Sequence, residues 1–277
     1  PITIGEAHRL AQNDVITGAA KEGESDRTQN HLQYSLLGDP ALSLNFPTMK
    51  VVLDSINGIA CERTDTMPKL KAGSIARIAG HIEGKADYQG VVTATVRDSR
   101  ELITCKLNDT KEAEEAFQFY DRQKTLYQGS DSVSNGKFSF SFAVPKDINY
   151  SDATGLLNLY SISNDKTMRA HGTSEKFTVG GSVESRNDSI GPSIYCYLNS
   201  PSFVDGGDVN TTPFFVAKLS DRDGINAAGS GIGHDLQLVI DGDMTKTYNL
   251  NDYFTYDFGT YTSGSTYYSI PELAPGK

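Results

Sequence analysis

The sequence predicts a mainly β protein that has a short α/β segment at its N-terminus and two β-sandwich domains after it. Three observations predict this fold class. Apolar residues recur at helical spacing only near the start, they alternate with a period of two after Pro47, and the alternating runs are short and separated by polar turns. A polar, glycine-containing stretch at 179–192 separates two blocks of such runs. We therefore expect domains at 1–47, 48–180 and 181–277, the last of them incomplete.

The N-terminal segment predicts one amphipathic helix. Thr3 and Glu6 have the spacing of a capping box, in which the threonine caps the helix and the glutamate follows three residues later. The apolar stripe that follows consists of Ile4, Ala7, Ala11 and Val15. Gly18 and the polar run 21–28 end this helix. A second short helical turn could lead into 34–37, but Asp39 precedes Pro40, which disfavours helical geometry at that position. We expect a strand over 41–46.

The strand pattern is clearest around residue 140. Phe138, Phe140 and Phe142 alternate with small polar or apolar residues, and Asn135-Gly136 directly before them is a strong hairpin signal. The other alternating or apolar runs lie at 76–82, 92–97, 194–198, 214–219 and 236–240. Residues 113–120 fit a helix through their alanines and a strand through their phenylalanines, and both alternatives stay open.

Composition excludes several classes of function. The chain of 277 residues has a net charge of -10, which disfavours nucleic acid as a partner because phosphate binding needs clusters of Lys and Arg. No apolar run approaches the roughly 18 residues of a membrane span. Cys61, Cys105 and Cys196 lack the C-x-x-C spacing of zinc and thioredoxin-like sites. We expect all three to be buried apolar residues.

Two N-terminal stretches carry a family resemblance. "IGEAHRLAQNDV" followed by "NHLQYSLLGDPALSLNFP" resembles the closing segment of the catalytic domain of gingipain-type cysteine peptidases. In that family a helix and an LLGDP strand complete a caspase-like sheet, and an immunoglobulin-like domain follows. The resemblance implies that 1–47 is a remnant of such a catalytic domain, that Gly38, Asp39 and Pro40 are the family motif, and that the sandwiches are immunoglobulin-like.

Two stretches after residue 47 resemble one particular branch of this family. "LYQGSDSVSNGKFSFSFAVPKDINY" and "DRDGINAAGSGIGHDLQLVIDG" are similar to PorU-type sortases of the type IX secretion system. Those gingipain-like enzymes lie on the cell surface, remove C-terminal sorting signals from cargo proteins and attach the cargo to lipopolysaccharide. The resemblance implies an exported protein associated with the outer membrane. Its implied partners are secretion-system components, cargo proteins, and a catalytic part of the same protein.

The resemblance also implies that this stretch is not catalytic. The family's catalytic cysteine and histidine precede the segment that matches residue 1 onward, so neither can be assigned here. A Cys–His pair could form only between residues distant in sequence, and the β pattern around each cysteine argues against it. Asp39 could orient a group in the catalytic domain, but Asp before Pro more often forms a turn with its own backbone. We favour the turn.

Two acidic loops are candidates for binding calcium, which prefers several hard oxygen ligands. Their carboxylates are Asp205, Asp208, Asp221 and Asp223. Ordinary surface turns have the same composition, so we expect no metal or other cofactor, with calcium as the alternative. The glycine-rich stretch 228–235 lacks the Gly-Lys-Ser/Thr ending of a phosphate loop. We expect His234 or Asp235 to brace that loop structurally.

A second function class stays open, a non-enzymatic tandem module for adhesion or for binding protein or glycan. Exposed tyrosines would then make the contacts, with Tyr253, Tyr256, Tyr261, Tyr267 and Tyr268 as candidates. The N-terminal helix and GDP segment favour the enzyme-fragment interpretation, because a free-standing adhesion module has no use for them.

Overall fold

The computed structural model describes residues 2–17, 33–63, 65–108, 110–111, 114–184, 190–227 and 235–276. The chain forms two compact units, Pro1–Pro47 and Thr48–Lys277. Strands dominate the described residues, which confirms the prediction of a mainly β protein. Within the described ranges, no helix has the length and apolar character needed to cross a membrane.

The first unit contains helix α1 (Ile4–Thr17), which begins where the capping pattern predicts. The backbone N–H of Glu6 donates to Thr3 Oγ1 at 3.2 Å. The Glu6 carboxylate pairs with the Arg9 guanidinium, at 2.6 and 2.8 Å, instead of turning back to the cap. The helix therefore has half of the predicted capping box and a surface ion pair in its first turns.

The predicted strand over 41–46 is wrong. Ser43 forms an isolated antiparallel bridge with Thr3, and the rest of the segment is extended without ladder partners among the described residues. A strand is stable only when neighbouring strands satisfy its backbone N–H and C=O groups. In the described part of this unit, the Thr3–Ser43 bridge is the one place where another segment pairs with 41–46 in this way.

The second unit begins with a large sheet. Its first strands are β1 (Met49–Ile56), β2 (Ile59–Ala60), β3 (Lys69–Ala72), β4 (Ile75–Ile82), β5 (Gly90–Arg97), β6 (Glu101–Thr104), β7 (Gln118–Asp121), β8 (Thr125–Val133), β9 (Lys137–Ala143), β10 (Leu156–Ser163), β11 (Arg169–Ser174) and β12 (Thr178–Ser182). Eight of them form one sheet in the order β8-β5-β10-β11-β1-β4-β9, with β2 paired to β1. The β1–β11 pair is parallel, and the other pairs in this sheet are antiparallel.

A tight hairpin brings the two ends of this sheet together. β8 and β9 are the first and last strands of the order, and Ser134 bridges Lys137 across the turn between them. Asn135 and Gly136 at the turn have φ of 51° and 70°, the left-handed values that a two-residue hairpin turn requires. The predicted hairpin is confirmed, and the sheet nearly closes on itself as a barrel.

The core of the second unit lies inside this nearly closed sheet. Alternate residues are buried along β5 and β9, as the period of two predicts. Val92 and Phe142 are fully buried. For the stretch 113–120, where helix and strand were both possible, the structure shows a strand at 118–120, because β7 pairs with β6.

The C-terminal strands form smaller sheets. They are β13 (Ser193–Leu198), β14 (Phe214–Ser220), β15 (Gln237–Ile240), β16 (Asp243–Asn249), β17 (Thr255–Tyr256) and β18 (Ser263–Ser269), with a 3-10 turn η1 (Asn251–Tyr253) before β17. One sheet has the order β13-β14-β18-β17, and β15 pairs with β16 across the predicted Asp241-Gly242 turn. Ala217, Leu219 and Ile225 form a small core beneath them.

The C-terminal strands pack against the large sheet along a seam around Tyr256. The rings of Tyr256 and Tyr127 lie 5.2 Å apart, and the Tyr256 hydroxyl donates to the Ile225 carbonyl at 2.6 Å. The Gly259 N–H donates to the Ser130 carbonyl at 2.9 Å across the same seam. Tyr256 and Tyr261 are partly buried against the large core, so their predicted exposure is wrong.

The expectation of three buried cysteines is wrong for two of them. Cys61 is buried, but Cys105 and Cys196 are exposed. Cys196 lies in β13, an edge strand with both faces open to solvent in the described structure, so alternation there does not separate a buried face from an exposed one. Cys105 directly follows β6 in the exposed β6–β7 hairpin.

Candidate functional site

The first unit exposes most of its large apolar side chains. Leu37, directly before the GDP motif, is 94% exposed. The set, which we call the apolar surface of the first unit, comprises Ile2, Leu10, Tyr34, Leu37, Leu42, Leu44 and Phe46. Large apolar side chains that are exposed in number within one small unit commonly mark a contact with another protein surface. This surface is the strongest candidate for a functional contact in the unit.

The GDP motif shapes the chain around the start of α1. The backbone N–H groups of Ile4 and Gly5, which have no partner within the helix, donate to the carbonyls of Leu42 and Pro40 at 2.7 and 3.0 Å. A side chain at Gly5 would approach the Pro40 side chain to 2.6 Å. The motif and the helix therefore fit each other closely.

Asp39 forms a turn with its own backbone. Its Oδ1 accepts a hydrogen bond from the Ala41 N–H at 2.9 Å, and its carbonyl accepts one from the Leu42 N–H at 3.3 Å. Gly38 has φ of 139°, a value that side-chain-bearing residues rarely adopt. Asp39 makes the bonds that the turn interpretation predicts, and a family role for Gly38, Asp39 and Pro40 remains a prediction.

His8 has a backbone partner in the first unit. Its Nε2 lies 3.2 Å from the Tyr34 carbonyl oxygen, and Gln12 donates to the same oxygen at 3.2 Å. Both side chains thus fasten the segment before the GDP motif to the helix. His31 lies outside the described residues.

The structure shows a histidine–aspartate pair that sequence reasoning missed. His81 Nδ1 lies 2.8 Å from Asp54 Oδ1, with both side chains partly exposed. The β1–β4 register shifts between Leu53 and Ser55, so Asp54 occupies a bulge. The residues lie 27 positions apart, and no sequence pattern predicts the bulge that brings them together. The carboxylate orients the imidazole.

The described chain contains no preformed thiolate–imidazole pair. Within the described residues, no cysteine hydrogen-bonds a histidine, and burial raises the pKa of the Cys61 thiol. A buried thiol with a raised pKa is a poor nucleophile.

The two acidic loops form ordinary turns. Asp221 accepts hydrogen bonds from the Asp223 and Gly224 N–H groups at 2.8 and 3.2 Å. In the other loop the Gly207 N–H donates to the Val204 carbonyl at 2.9 Å. Within the described residues, no three acidic, histidine or cysteine side chains lie together as a metal site would require. Calcium binding at Asp205, Asp208, Asp221 and Asp223 remains a prediction.

The residues on either side of 228–234, Ala227 and Leu236, are joined by a residue that sequence reasoning did not select. Asn251 Oδ1 accepts a hydrogen bond from the Leu236 N–H at 3.0 Å, and Asn251 Nδ2 donates to the Ala227 carbonyl at 3.1 Å. His234 lies outside the described residues, whereas Asp235 lies at the entry to β15. Bracing by His234 or Asp235 therefore remains a prediction beside the observed Asn251 contacts.

Among three comparisons with known proteins, the search of solved structures found a similar protein. No protein-family model matches it, and no curated protein matches it. A crystal structure of dimeric latent PorU from Porphyromonas gingivalis is similar, with a TM-score of 0.54 and 33% sequence identity over 99% of this chain. The match covers 26% of the PorU chain, so this chain spans about a quarter of that protein's length. The chain is therefore related to a region of PorU along nearly its whole length.

Proposed function

We propose that this chain is the C-terminal, non-catalytic part of a gingipain-like cysteine peptidase, a PorU-type sortase of type IX secretion. It braces the catalytic part or binds secretion-system components and cargo, on the cell surface at the outer membrane. The ordered motifs of the sequence and the likeness to PorU support the proposal. The peptidase chemistry of the intact protein, thiolate attack on a carbonyl with histidine as acid and base, belongs to residues outside this chain.

The observation that carries this proposal is the apolar surface of the first unit. A helix and one extended segment are too small to bury a core by themselves. The exposed leucines surround the GDP motif, which in the resembled family closes a caspase-like sheet. We propose that the remainder of that catalytic domain covers them.

The finer domain description is part of the same proposal. We assign residues 48–180 to one immunoglobulin-like sandwich and 181–277 to a second. The mainly antiparallel strands of the large sheet, which enclose one core, support the first assignment. The separate small core around Leu219 supports the second.

The intact mass of the native protein tests the proposal directly. The protein is captured from cells with an antibody against 48–180 and weighed. We expect a mass far above the 30.0 kDa of this chain and cleavage of a sorting-signal peptide that iodoacetamide abolishes. A native mass equal to this chain, or thiol-dependent cleavage by the purified chain alone, contradicts it.

A substitution on the apolar surface tests the predicted contact. Leu37→Asp in the full-length protein should lower the melting temperature and the peptidase activity, because it places a charge in the buried contact. In the 277-residue chain Leu37 is 94% exposed, so the same change should leave the melting temperature nearly unchanged. Tyr120→Asp, at a tyrosine that is 68% exposed, is the matched control. Equal effects of both changes in the full-length protein contradict the predicted contact.

A tandem binding module is the second candidate function, and one observation favours it. Phe214, Tyr253 and Tyr267 form an exposed aromatic cluster. The centroid of the Tyr267 ring lies 5.6 Å from that of Phe214 and 6.2 Å from that of Tyr253. Exposed aromatic clusters suit contact with protein or glycan. A native mass of 30.0 kDa would favour this candidate over the peptidase fragment.

A further inference from the structure

A cavity of about 230 Å³ opens in the seam between the large sheet and the C-terminal strands. One wall comes from 123–128, at the start of β8, and the other from η1 and β17. We call it the seam cavity. Binding sites for small molecules occur preferentially where two structural layers meet, and this one has room for about one small ring rather than a drug-sized ligand.

The seam cavity combines aromatic rings with polar groups that have no protein partner. Tyr127, Phe254 and Tyr256 line it, and the Phe254 and Tyr256 rings stand nearly perpendicular, at 89°, with centroids 4.9 Å apart. The polar side chains in the lining that make no hydrogen bond or ion pair within the described structure are Gln123, Thr125, Gln128, Asp252 and Thr255. These groups supply amide, hydroxyl and carboxylate partners for a ligand.

The charge of the lining narrows the ligand class. Among the lining residues that the structure describes there is no Lys, Arg or His, and Asp252 is the single charged one. The described lining offers phosphate and other anions no cationic partner, and its solvent-exposed amide, hydroxyl and carboxylate groups favour a ligand that can form hydrogen bonds. A neutral polyhydroxylated ring can pair hydroxyl groups with the amides and the carboxylate, and can place its C–H face on an aromatic ring.

We propose that the seam cavity binds a neutral sugar ring, with Gln128 and Asp252 as hydrogen-bonding partners and the aromatic side chains as the apolar wall. This site lies wholly within the second unit and does not depend on the proposed peptidase role.

Protein-observed NMR on the 277-residue chain tests the proposal. The probes are glucose, galactose, mannose, rhamnose and N-acetylglucosamine, each titrated in the millimolar range expected for one ring. We expect at least one sugar to shift the amide resonances of 125–128 and 252–255 saturably. Asp252→Ala and Gln128→Ala should each weaken that binding about tenfold, because each removes a hydrogen-bonding partner.

Two controls make the result decisive. Asp87→Ala removes an exposed carboxylate away from the cavity and should leave the affinity unchanged. Inorganic phosphate and a Gly-Ser-Gly-Ser peptide should not shift the cavity resonances. Absence of saturable shifts with all five sugars, unchanged affinity in both cavity variants, or equal binding of phosphate or peptide at these residues would overturn the proposal. Unchanged melting temperatures exclude loss of the fold in the variants.

Discussion

At the residue scale, Asp98 is the most constrained carboxylate of the second unit. It is fully buried, its Oδ1 accepts the Ser99 N–H and its Oδ2 accepts the Asn149 N–H, both at 2.6 Å. Lys124 Nζ donates to Asn149 Oδ1 at 2.7 Å beside them. Burial raises the pKa of Asp98, while the two backbone hydrogen bonds act in the opposite direction. The carboxylate thus joins two loops that are distant in sequence.

Asp98→Asn should lower the free energy of unfolding by about 2 kcal/mol. The amide nitrogen of the new side chain would face a backbone N–H donor, which leaves that donor without an acceptor. Urea unfolding at neutral pH measures the loss. Asp87→Asn, at an exposed aspartate, should cost less than about 0.5 kcal/mol. Similar losses in both variants would contradict the proposed role of Asp98.

At the element scale, the turn of the β8–β9 hairpin depends on the glycine at 136. Gly136 has φ of 70°, and a Cβ there would lie 2.2 Å from the Lys85 carbonyl oxygen. Its own N–H donates to the Tyr88 carbonyl at 2.8 Å, and its carbonyl accepts the Ile82 N–H at 2.7 Å. The hairpin is thereby packed against the turn after β4, at the point where the sheet nearly closes.

Gly136→Ala should destabilise the protein by at least about 2 kcal/mol more than Gly84→Ala. Gly84 has a similar φ of 67° but open space around its Cβ position, so its substitution carries the backbone strain without the collision. Guanidinium unfolding of both variants gives the difference. Equal losses would mean that backbone strain alone explains the glycine at 136.

At the scale of the whole molecule, buried tyrosines join the C-terminal strands to the large sheet. Burial, and to a smaller extent the Asp131 carboxylate, raises the pKa of Tyr127 from 10.0 to about 12. Burial also raises the pKa of Tyr256, whose ring packs on Tyr127. The folded chain therefore favours the protonated form of both hydroxyls.

The seam should therefore weaken at alkaline pH. Because the folded pKa of Tyr127 exceeds the unfolded value, its contribution is fully present below about pH 10 and is lost as the pH rises through about 12. The loss amounts to about 2 to 3 kcal/mol. Tyr127→Phe removes the hydroxyl that titrates. Above pH 10 the unfolding free energy of the wild type should therefore fall relative to that of the variant.

Tyr120→Phe, at an exposed tyrosine, is the control for that series. Its difference in unfolding free energy from wild type should stay constant with pH, because the Tyr120 side chain lies in solvent in the folded chain as it does in the unfolded chain. A constant difference for Tyr127→Phe as well would contradict the role of the seam in alkaline unfolding.

Part of this architecture follows from the order of residues along the chain. The helix start at Thr3, the Asn135-Gly136 hairpin and the alternation around Phe140 were predicted because each depends on neighbours in sequence: a capping side chain, a turn that needs positive φ, a pleat with a period of two. Of the candidate site, the sequence indicated the GDP turn. It did not indicate that the leucines around this turn are exposed.

Other features could be seen only in the tertiary structure, because each depends on which segments become neighbours in space. Cys196 is exposed because its strand lies at a sheet edge, and Tyr256 is partly buried because it meets Tyr127 from another sheet. Asp54 reaches His81 through a bulge that no periodicity predicts. Local patterns specify the backbone of each element, whereas burial, pairing and cavities arise only when distant elements exclude water from one another.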